Sequence, residues 1–482
     1  MEEKFNIIFL IVDALRAQNL SCYGYSKPTS PNIDLMAKRG VLFENAYSCT
    51  DNTDPSFTSI FSGKYPISHG IMHHAEISEK EIQDFRLTQT KLIQQILKSM
   101  GYFTLGIDWL GRWHKEGYNF YGISEAGPTN RAPFTSRAGK YVDKLPYSIQ
   151  SIITWTWKLI GQSQPTKQEA RTLTNLAINL LKKLREKNFF LLVHYWDVHT
   201  PFDTIPDSYV NRFYERKSNE TVEEMLKKIE YPVWRDKVKR YHLKGIKYID
   251  DIAANYNGAI NFVDHEIGRL ISFLKEEGIY DQTFIVLTGD HGDNHTRDGI
   301  FVGHHGLYDK VIHIPFILAG AGLPRGKRIH GFVQHIDITP TIFDMLAVDS
   351  NSFNFDGKSL LPLIHGEEKQ LRSEVFAMEA ARRRFAIRTE NYKYIYSPSE
   401  GDLLDDFWKK KGILFRPVYN NRTELYDLRK DPGESQNIIV EKAEIAKEME
   451  FTLVECVKRL ETKKEKVILK NRIKRLRLLG KV

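Results

Sequence analysis

Cysteine is scarce in this chain. Cys22, Cys49 and Cys456 are scattered over 482 residues. A set that is odd in number and widely spaced excludes a disulfide framework and a zinc knuckle, and predicts reduced thiols in a cytoplasmic setting. Long apolar runs are missing too, and no uncharged stretch reaches the roughly 20 residues that span a bilayer. The start, Met1-Glu2-Glu3-Lys4, lacks a basic region, a long apolar segment and a small-residue cleavage site, so no secretory leader is expected. Internal repeats and low-complexity segments are absent. Most of the chain also lacks an excess of either charge. The net charge is +8, yet Lys463 to Val482 alone carries nine Lys/Arg against Glu465, and the other 462 residues are formally neutral. A neutral body without a recognition motif argues against a nucleic-acid partner.

What remains is an ordinary globular balance, 41% hydrophobic and 27% charged, enough for one large domain and a smaller one. Phe5 to Val12 is a continuous β-favouring apolar run, as in a parallel strand buried on both faces. It ends at Asp13, where open α/β sheets place their sites. Phe189 to Tyr195, Thr283 to Thr288 and Ile314 to Leu318 read the same way. Helical patterns lie between these runs, over Pro31 to Lys38, Leu92 to Met100, Glu169 to Arg185 and Ile246 to Glu277. This alternation predicts an α/β fold with a mostly parallel central sheet flanked by helices. Residues 112–166, rich in Gly, Pro and aromatics, read as an insertion within a catalytic domain of residues 1–373. Inside it, Leu145 to Ile160 suits a lid helix, an interfacial helix or a helix packed on the body. Residues 374–440 carry hairpin patterns of a smaller antiparallel subdomain, and 441–482 a helical basic tail.

Asp51-Asn52-Thr53-Asp54-Pro55-Ser56-Phe57 is the stretch around which the chemistry gathers. Pro55 suits a first helical turn, Phe57, Ile60 and Phe61 give a buried face, and Gly63 ends the helix. Thr53 then sits just ahead of a helix N-terminus, where backbone N–H groups favour negative charge. Capping is the commoner task of such a threonine. An activated hydroxyl is the alternative, and it needs something to lower its pKa. Asp13 and the pair Asp290-His291, each at the end of a core strand, would with Thr53 supply oxygen and nitrogen ligands to a divalent metal.

These segments resemble the sulfatase branch of the alkaline phosphatase superfamily from Phe5 to about Ile438. Ile11-Val12-Asp13-Ala14-Leu15-Arg16 resembles its first metal motif, and Thr53-Asp54-Pro55-Ser56 its nucleophile motif. Gly63-Lys64-Tyr65-Pro66 with His69-Gly70, His199-Thr200-Pro201-Phe202, Thr288-Gly289-Asp290-His291-Gly292-Asp293 and His305-Gly306-Leu307-Tyr308-Asp309 continue it in order. The resemblance implies a metal-dependent ester hydrolase or transferase with its metal on Asp13, Thr53, Asp290 and His291. It implies catalytic roles for Thr53, His199 and His305, and substrate contacts at Lys64, His69, Arg112 and His114. A second metal would need about three more ligands, for which His199, His305, Asp197 and Asp203 are candidates.

Two departures refine this reading. Sulfatases proper carry Cys or Ser at the nucleophile, converted to formylglycine, with Arg four residues on; here the two positions hold Thr53 and Phe57. Where a second carboxylate usually follows the first, this chain has Ala14. Fewer carboxylates and an added imidazole favour manganese or zinc over calcium. A threonine beside an Asp-His pair resembles the superfamily's phosphodiesterases and phospho-group transferases. The expected reaction is attack of Thr53 on a phosphate ester carried by a small molecule, a glycan or a lipid. The alternatives are sulfate ester hydrolysis and a degenerate site that only binds. In the tail, Leu469, Ile473, Leu476 and Leu479 share a helical face flanked by Lys466, Lys470, Arg472, Lys474, Arg475, Arg477 and Lys481. Such a helix either packs on the body or attaches the protein peripherally to an anionic inner membrane face.

Overall fold

Seven buried residues, Asn6–Val12, form strand β1 at the centre of the molecule. The computed structural model describes residues 5–75, 77–123, 168–184, 187–229, 232–295, 302–350, 353–380, 383–397 and 422–478. In chain order the further strands are β2 (Val41–Phe43), β3 (Ala46–Tyr47), β4 (Phe103–Ile107), β5 (Phe120–Tyr121), β6 (Phe189–Tyr195), β7 (Thr283–Gly289), β8 (Phe316–Ala319), β9 (Lys327–Ile329) and β10 (Val333–Gln334). The large sheet runs β5-β4-β6-β1-β7-β8-β2-β9. Strands β5, β4, β6, β1 and β7 are mutually parallel; β8 is antiparallel to β7 and to β2. Strands β1, β6 and β7 are buried throughout, which explains their uninterrupted apolar runs.

The register places the site. Val12 pairs with both Tyr195 and Gly289, so the chain leaves all three strands at one level of the sheet's carboxyl edge. Asp13, Trp196 and Asp290 are the next residues. The segment after Arg112 is more regular at its start than its composition predicts. Arg112–Lys115 forms a short 3-10 helix, and Phe120–Tyr121 pairs with β4 as the edge strand. Leu145 to Ile160 lies outside the described residues.

The C-terminal part forms a separate antiparallel sheet of β11 (Glu374–Glu379), β12 (Arg384–Thr389), β13 (Tyr392–Tyr396) and β14 (Glu424–Asp427). It leans on the loop before Thr53: the Met378 N–H donates to the Cys49 carbonyl at 3.0 Å. The 36-residue helix Ala443–Leu478 lays Ala446, Met449, Leu453, Val457 and Leu460 into one apolar cluster with Phe385, Ile387 and Tyr394 of that sheet. The 3-4-4-3 spacing keeps these side chains on one helix face. Burying each large one contributes about 1.5–3 kcal/mol. Further along, Lys463 pairs with Asp356 (2.6 Å), Lys464 with Asp84 (2.5 Å), and the Asn471 side chain donates to the Leu87 carbonyl (3.0 Å). Leu469, Ile473 and Leu476 are exposed, the first at 59%. Leu479 and Lys481 lie outside the described residues. The three thiols are unbridged, and among the described residues no helix is long and apolar enough to cross a membrane.

Candidate active site

Thr53 is the first residue of the helix Thr53–Ser62, with extended Asn52 before it, so the helix begins one residue earlier than the sequence reading. All ten residues of this helix are buried. Phe57 meets Phe61 edge to face at 5.6 Å, and Phe61 stacks on Phe9 of β1 at 5.9 Å. Gly63 ends the helix at φ 65°, a conformation that suits glycine. The Ser56 hydroxyl donates to the Asp290 carbonyl at 2.6 Å. The first turn is thereby tied to the end of β7.

This tie brings the predicted metal set together. His291 Nδ1 lies 2.8 Å from the Gly292 carbonyl. A carbonyl only accepts, so Nδ1 carries the proton and a neutral ring leaves its lone pair on Nε2. That nitrogen sits 3.3 Å from Thr53 Oγ1, 3.3 Å from Asp290 Oδ2 and 3.6 Å from Asp13 Oδ1. Both carboxylate oxygens are buried and without a hydrogen-bond partner among the described residues. The other Asp290 oxygen accepts from the N–H groups of Ala14 (3.1 Å) and His291 (2.8 Å). Two buried carboxylates and an imidazole lone pair facing one another carry a large desolvation cost, which a cation between them offsets. Burial and the nearby Asp13 raise the Asp290 carboxyl to about 6. Burial also acts to raise Asp13, but His199, His194 and His291 outweigh it and hold that group well below the carboxylate range. The donor set of oxygens and one imidazole fits a divalent metal ion.

His199 also reaches the site: its ring centroid is 6.5 Å from His291 and 5.7 Å from His304, and its Nδ1 bonds the Thr200 carbonyl. His305 stands beside Asp51, with Nδ1 3.9 Å from Oδ2. Two proposed ligands of a second metal are elsewhere: Asp197 is fully buried and accepts from the Ala170 N–H and the Thr204 hydroxyl, and Asp203 is exposed.

The four expected substrate contacts divide. Arg112 and His114 stand beside the nucleophile, but both turn to Asp54. Arg112 Nη2 meets its two oxygens at 2.6 and 2.5 Å, and His114 Nε2 lies at 3.3 Å. Lys64 and His69 follow the far end of the helix, roughly 15 Å along its axis from Thr53. His69 is fully buried with Nε2 3.1 Å from Ser59 Oγ, and its Nδ1 accepts from the Ile71 N–H. Lys64 is buried, and desolvation lowers its ammonium to about 8. Both side chains are therefore placed at the end of the helix away from Thr53.

Sequence reasoning missed residues that back the site. His194, one position from the end of β6, bonds Asp108 Oδ1 at 2.8 Å and lies 3.8 Å from Asp13. Although burial works against its charge, Asp108 and Asp13 raise it to about 10. Phe57, at the position of the missing arginine, packs on this ring with centroids 4.5 Å apart. His74 adds a third side-chain partner to Asp54, with Nδ1 at 2.8 Å. A histidine inside an otherwise apolar strand was the available signal for His194; His74 and Asp108 carried none.

The fold and the site define a metal-dependent hydrolase of ester bonds. The family model "Sulfatase" matches residues 5–348, and the model "N-sulphoglucosamine sulphohydrolase, C-terminal" matches 301–463. The chain belongs to the sulfatase family, within the alkaline phosphatase superfamily. It is 26% identical over 528 aligned positions to an N-acetylglucosamine-6-O-sulfatase of Bacteroides thetaiotaomicron, covering 92% of this chain and 84% of that one. A protein solved in complex with its substrate D-glucosamine-2-N,6-O-disulfate superposes with TM-score 0.68 at 20% identity, covering 96% of this chain and 98% of that one. The phosphonate monoester hydrolase of Agrobacterium radiobacter superposes with TM-score 0.67 at 19% identity, covering 96% of each chain. At these identities the structural likenesses establish the fold.

Proposed function

We propose that this chain hydrolyses a sulfate ester carried by a sugar or another small molecule, with unmodified Thr53 as the attacking group. The names of its relatives support sulfate over the phosphate ester expected from the residues alone. One observation carries the reaction: Thr53 Oγ1 lies 3.3 Å from His291 Nε2, inside the set completed by Asp13 and Asp290. These four residues would hold a manganese or zinc ion, which when bound supplies the charge that lowers the pKa of the hydroxyl and polarises a non-bridging ester oxygen.

Thr53 Oγ1 attacks sulfur, its proton passing to solvent water, and the bond from sulfur to the sugar oxygen breaks. His199 gives a proton to the departing oxygen, and His305 is the second candidate for that task. Water then attacks sulfur, restoring the Thr53 hydroxyl and releasing sulfate. The helix N-terminus favours the negative group throughout.

A phosphate ester, cleaved by water or passed to an acceptor hydroxyl, is the second reading. It is favoured by Thr53 and Phe57, since threonine gives no formylglycine and no arginine stands four residues on. The discriminating experiment is a panel of an aryl sulfate, glucosamine 6-sulfate, a phosphate monoester and a phosphodiester at verified metal loading. Faster turnover of the sulfates supports the first reading, and the reverse ranking replaces it with the second. Silence on all four would indicate a protein that only binds.

We propose in addition that the end of the C-terminal helix makes peripheral contact with an anionic membrane at its cytoplasmic face. Support comes from Leu469, Ile473 and Leu476, which are exposed among basic side chains.

A further inference from the structure

Two side chains outside every motif of the sequence reach His199 and His305. Trp234 lies in the helix Pro232–Lys237, and His242 ends the π-helical turn Val238–His242 that continues it. The rings of His242 and His199 are 6.2 Å apart, and those of Trp234 and His305 4.8 Å. We propose that Trp234 and His242 receive the leaving alcohol and select one that carries further hydroxyl groups, as a sugar ring does. The proposal rests on the reading that an ester is cleaved at Thr53.

The backbone explains how the two meet. Eight residues of α-helix would turn His242 about 80° past Trp234. Here the Leu243 N–H reaches five residues back, to the Val238 carbonyl at 2.9 Å. Such a turn takes in one extra residue. It brings His242 onto the Trp234 side of the helix, with ring centroids 5.4 Å apart. The segment is anchored: Val238 and Leu243 share an apolar cluster with Met225, Leu226 and Ile252, and the Arg235 guanidinium donates to the Ile229 carbonyl at 2.8 and 3.1 Å.

Trp234 and His242 are buried, at 6% and 4% exposure, yet each keeps a polar atom without a hydrogen-bond partner among the described residues. For Trp234 it is the indole Nε1. The adjoining Cζ2–Cη2 edge of the ring lies against Gly303, where a Cβ would come within 2.9 Å. The N–H side of the indole therefore meets the loop that continues into His304 and His305. For His242 the atom is Nε2. Its Nδ1 is held at 2.5 Å by the hydroxyl of Thr200, the residue after His199. A buried polar group left unpaired is costly, so each of these calls for a partner that arrives with the substrate.

The chemistry defines that partner. An indole N–H only donates, whereas imidazole Nε2 donates or accepts according to its tautomer. One hydroxyl oxygen can accept from Trp234, and a second hydroxyl can pair with His242. An alcohol without further hydroxyls leaves both groups buried and unpaired, and a site built in this way discriminates against it. His199, which gives the departing oxygen its proton, stands beside His242, so the alcohol is the part of the substrate that these residues meet.

The test is direct binding of alcohols to the full chain, followed by ligand-observed NMR. Glucosamine, galactose and myo-inositol serve as polyols and phenol as the control. Wild type should bind at least one polyol more tightly than phenol. Trp234→Phe keeps an aromatic ring against Gly303 and removes the N–H, and His242→Asn keeps an amide near Thr200 and removes Nε2. Each should weaken polyol binding about tenfold, the scale of one hydrogen bond, and leave phenol within about twofold at a melting temperature near wild type. The ratio of kcat/KM for glucosamine 6-sulfate to that for the aryl sulfate should fall in step. Absence of polyol binding in wild type, or wild-type affinity in either folded variant, overturns the proposal. Polyol binding that depends on both residues, in a protein that cleaves no ester, keeps the hydroxyl site and removes the ester reading instead.

Discussion

Arg112 Nη2 grips both oxygens of Asp54, the residue next to the proposed nucleophile. Asp54 is fully buried and also faces His74 and His114. Burial acts to raise its carboxyl, but these partners hold it well below the carboxylate range. Breaking a buried pair from one side costs about 3–5 kcal/mol, less where one partner reaches solvent as Arg112 does and where two imidazoles remain. We expect Arg112→Ala to lower unfolding stability by about 1–3 kcal/mol, read from urea midpoints, and to leave KM within roughly threefold. A tenfold rise in KM at unchanged stability would instead make Arg112 a substrate contact.

Thr53→Ala should reduce turnover by roughly a thousandfold or more, the scale of losing an attacking group, while the melting temperature stays near wild type. Thr53→Ser, which keeps the hydroxyl, should retain measurable activity. Near-normal rates in the alanine variant at equal metal loading would end the covalent mechanism.

Asp290 presents one oxygen to His291 Nε2 and uses the other to order the Ala14 and His291 backbone. Asp290→Ala should therefore lose the metal of the first site and with it all turnover. Chelation of wild type should do the same, and manganese or zinc should restore activity better than calcium. Metal content and rate measured on the same samples check this. Full activity after complete metal removal would show that the reaction proceeds without it.

Glu81 offers a prediction in pH. Its side chain caps its own helix at Ser78, accepts from the Met72 and His73 N–H groups and meets His73 Nδ1 at 3.1 Å. Burial opposes ionisation, but His73 and these N–H donors lower the group from 4.5 to about 2. A depressed folded value means that the stabilisation is fully present above pH 4.5 and is lost as pH falls toward 2. Glu81→Gln should be destabilised by about 1–3 kcal/mol at pH 7, and the gap to wild type should narrow at pH 3.5. A gap independent of pH would assign the loss to packing.

For the C-terminal helix, the full chain should sediment with anionic vesicles at low salt and remain in solution with neutral ones. A truncation after residue 465 keeps Leu460 and the Lys463 and Lys464 ion pairs, so the sheet-packing part of the helix persists. It should lose vesicle binding, since each basic residue near an anionic surface contributes about 1 kcal/mol. Equal binding by both proteins would remove the helix end as the anchor.

The sequence by itself determined the strands and the ligand types. The runs Phe5 to Val12, Phe189 to Tyr195 and Thr283 to Thr288 are apolar throughout because both faces of those strands are buried, and their ends mark Asp13 and Asp290. The ordered motifs likewise identified the family. Tertiary structure alone decided which partners these side chains meet. Arg112 is spent on Asp54, and His69 on Ser59 and Ile71, because partners distant along the chain or hidden by burial meet them only after folding. It also decided that His194 backs Asp13 through Asp108, 86 residues away, and that Asp51 meets His304 across 253 residues. Such pairings are set by strand register and loop closure, and a linear pattern carries neither.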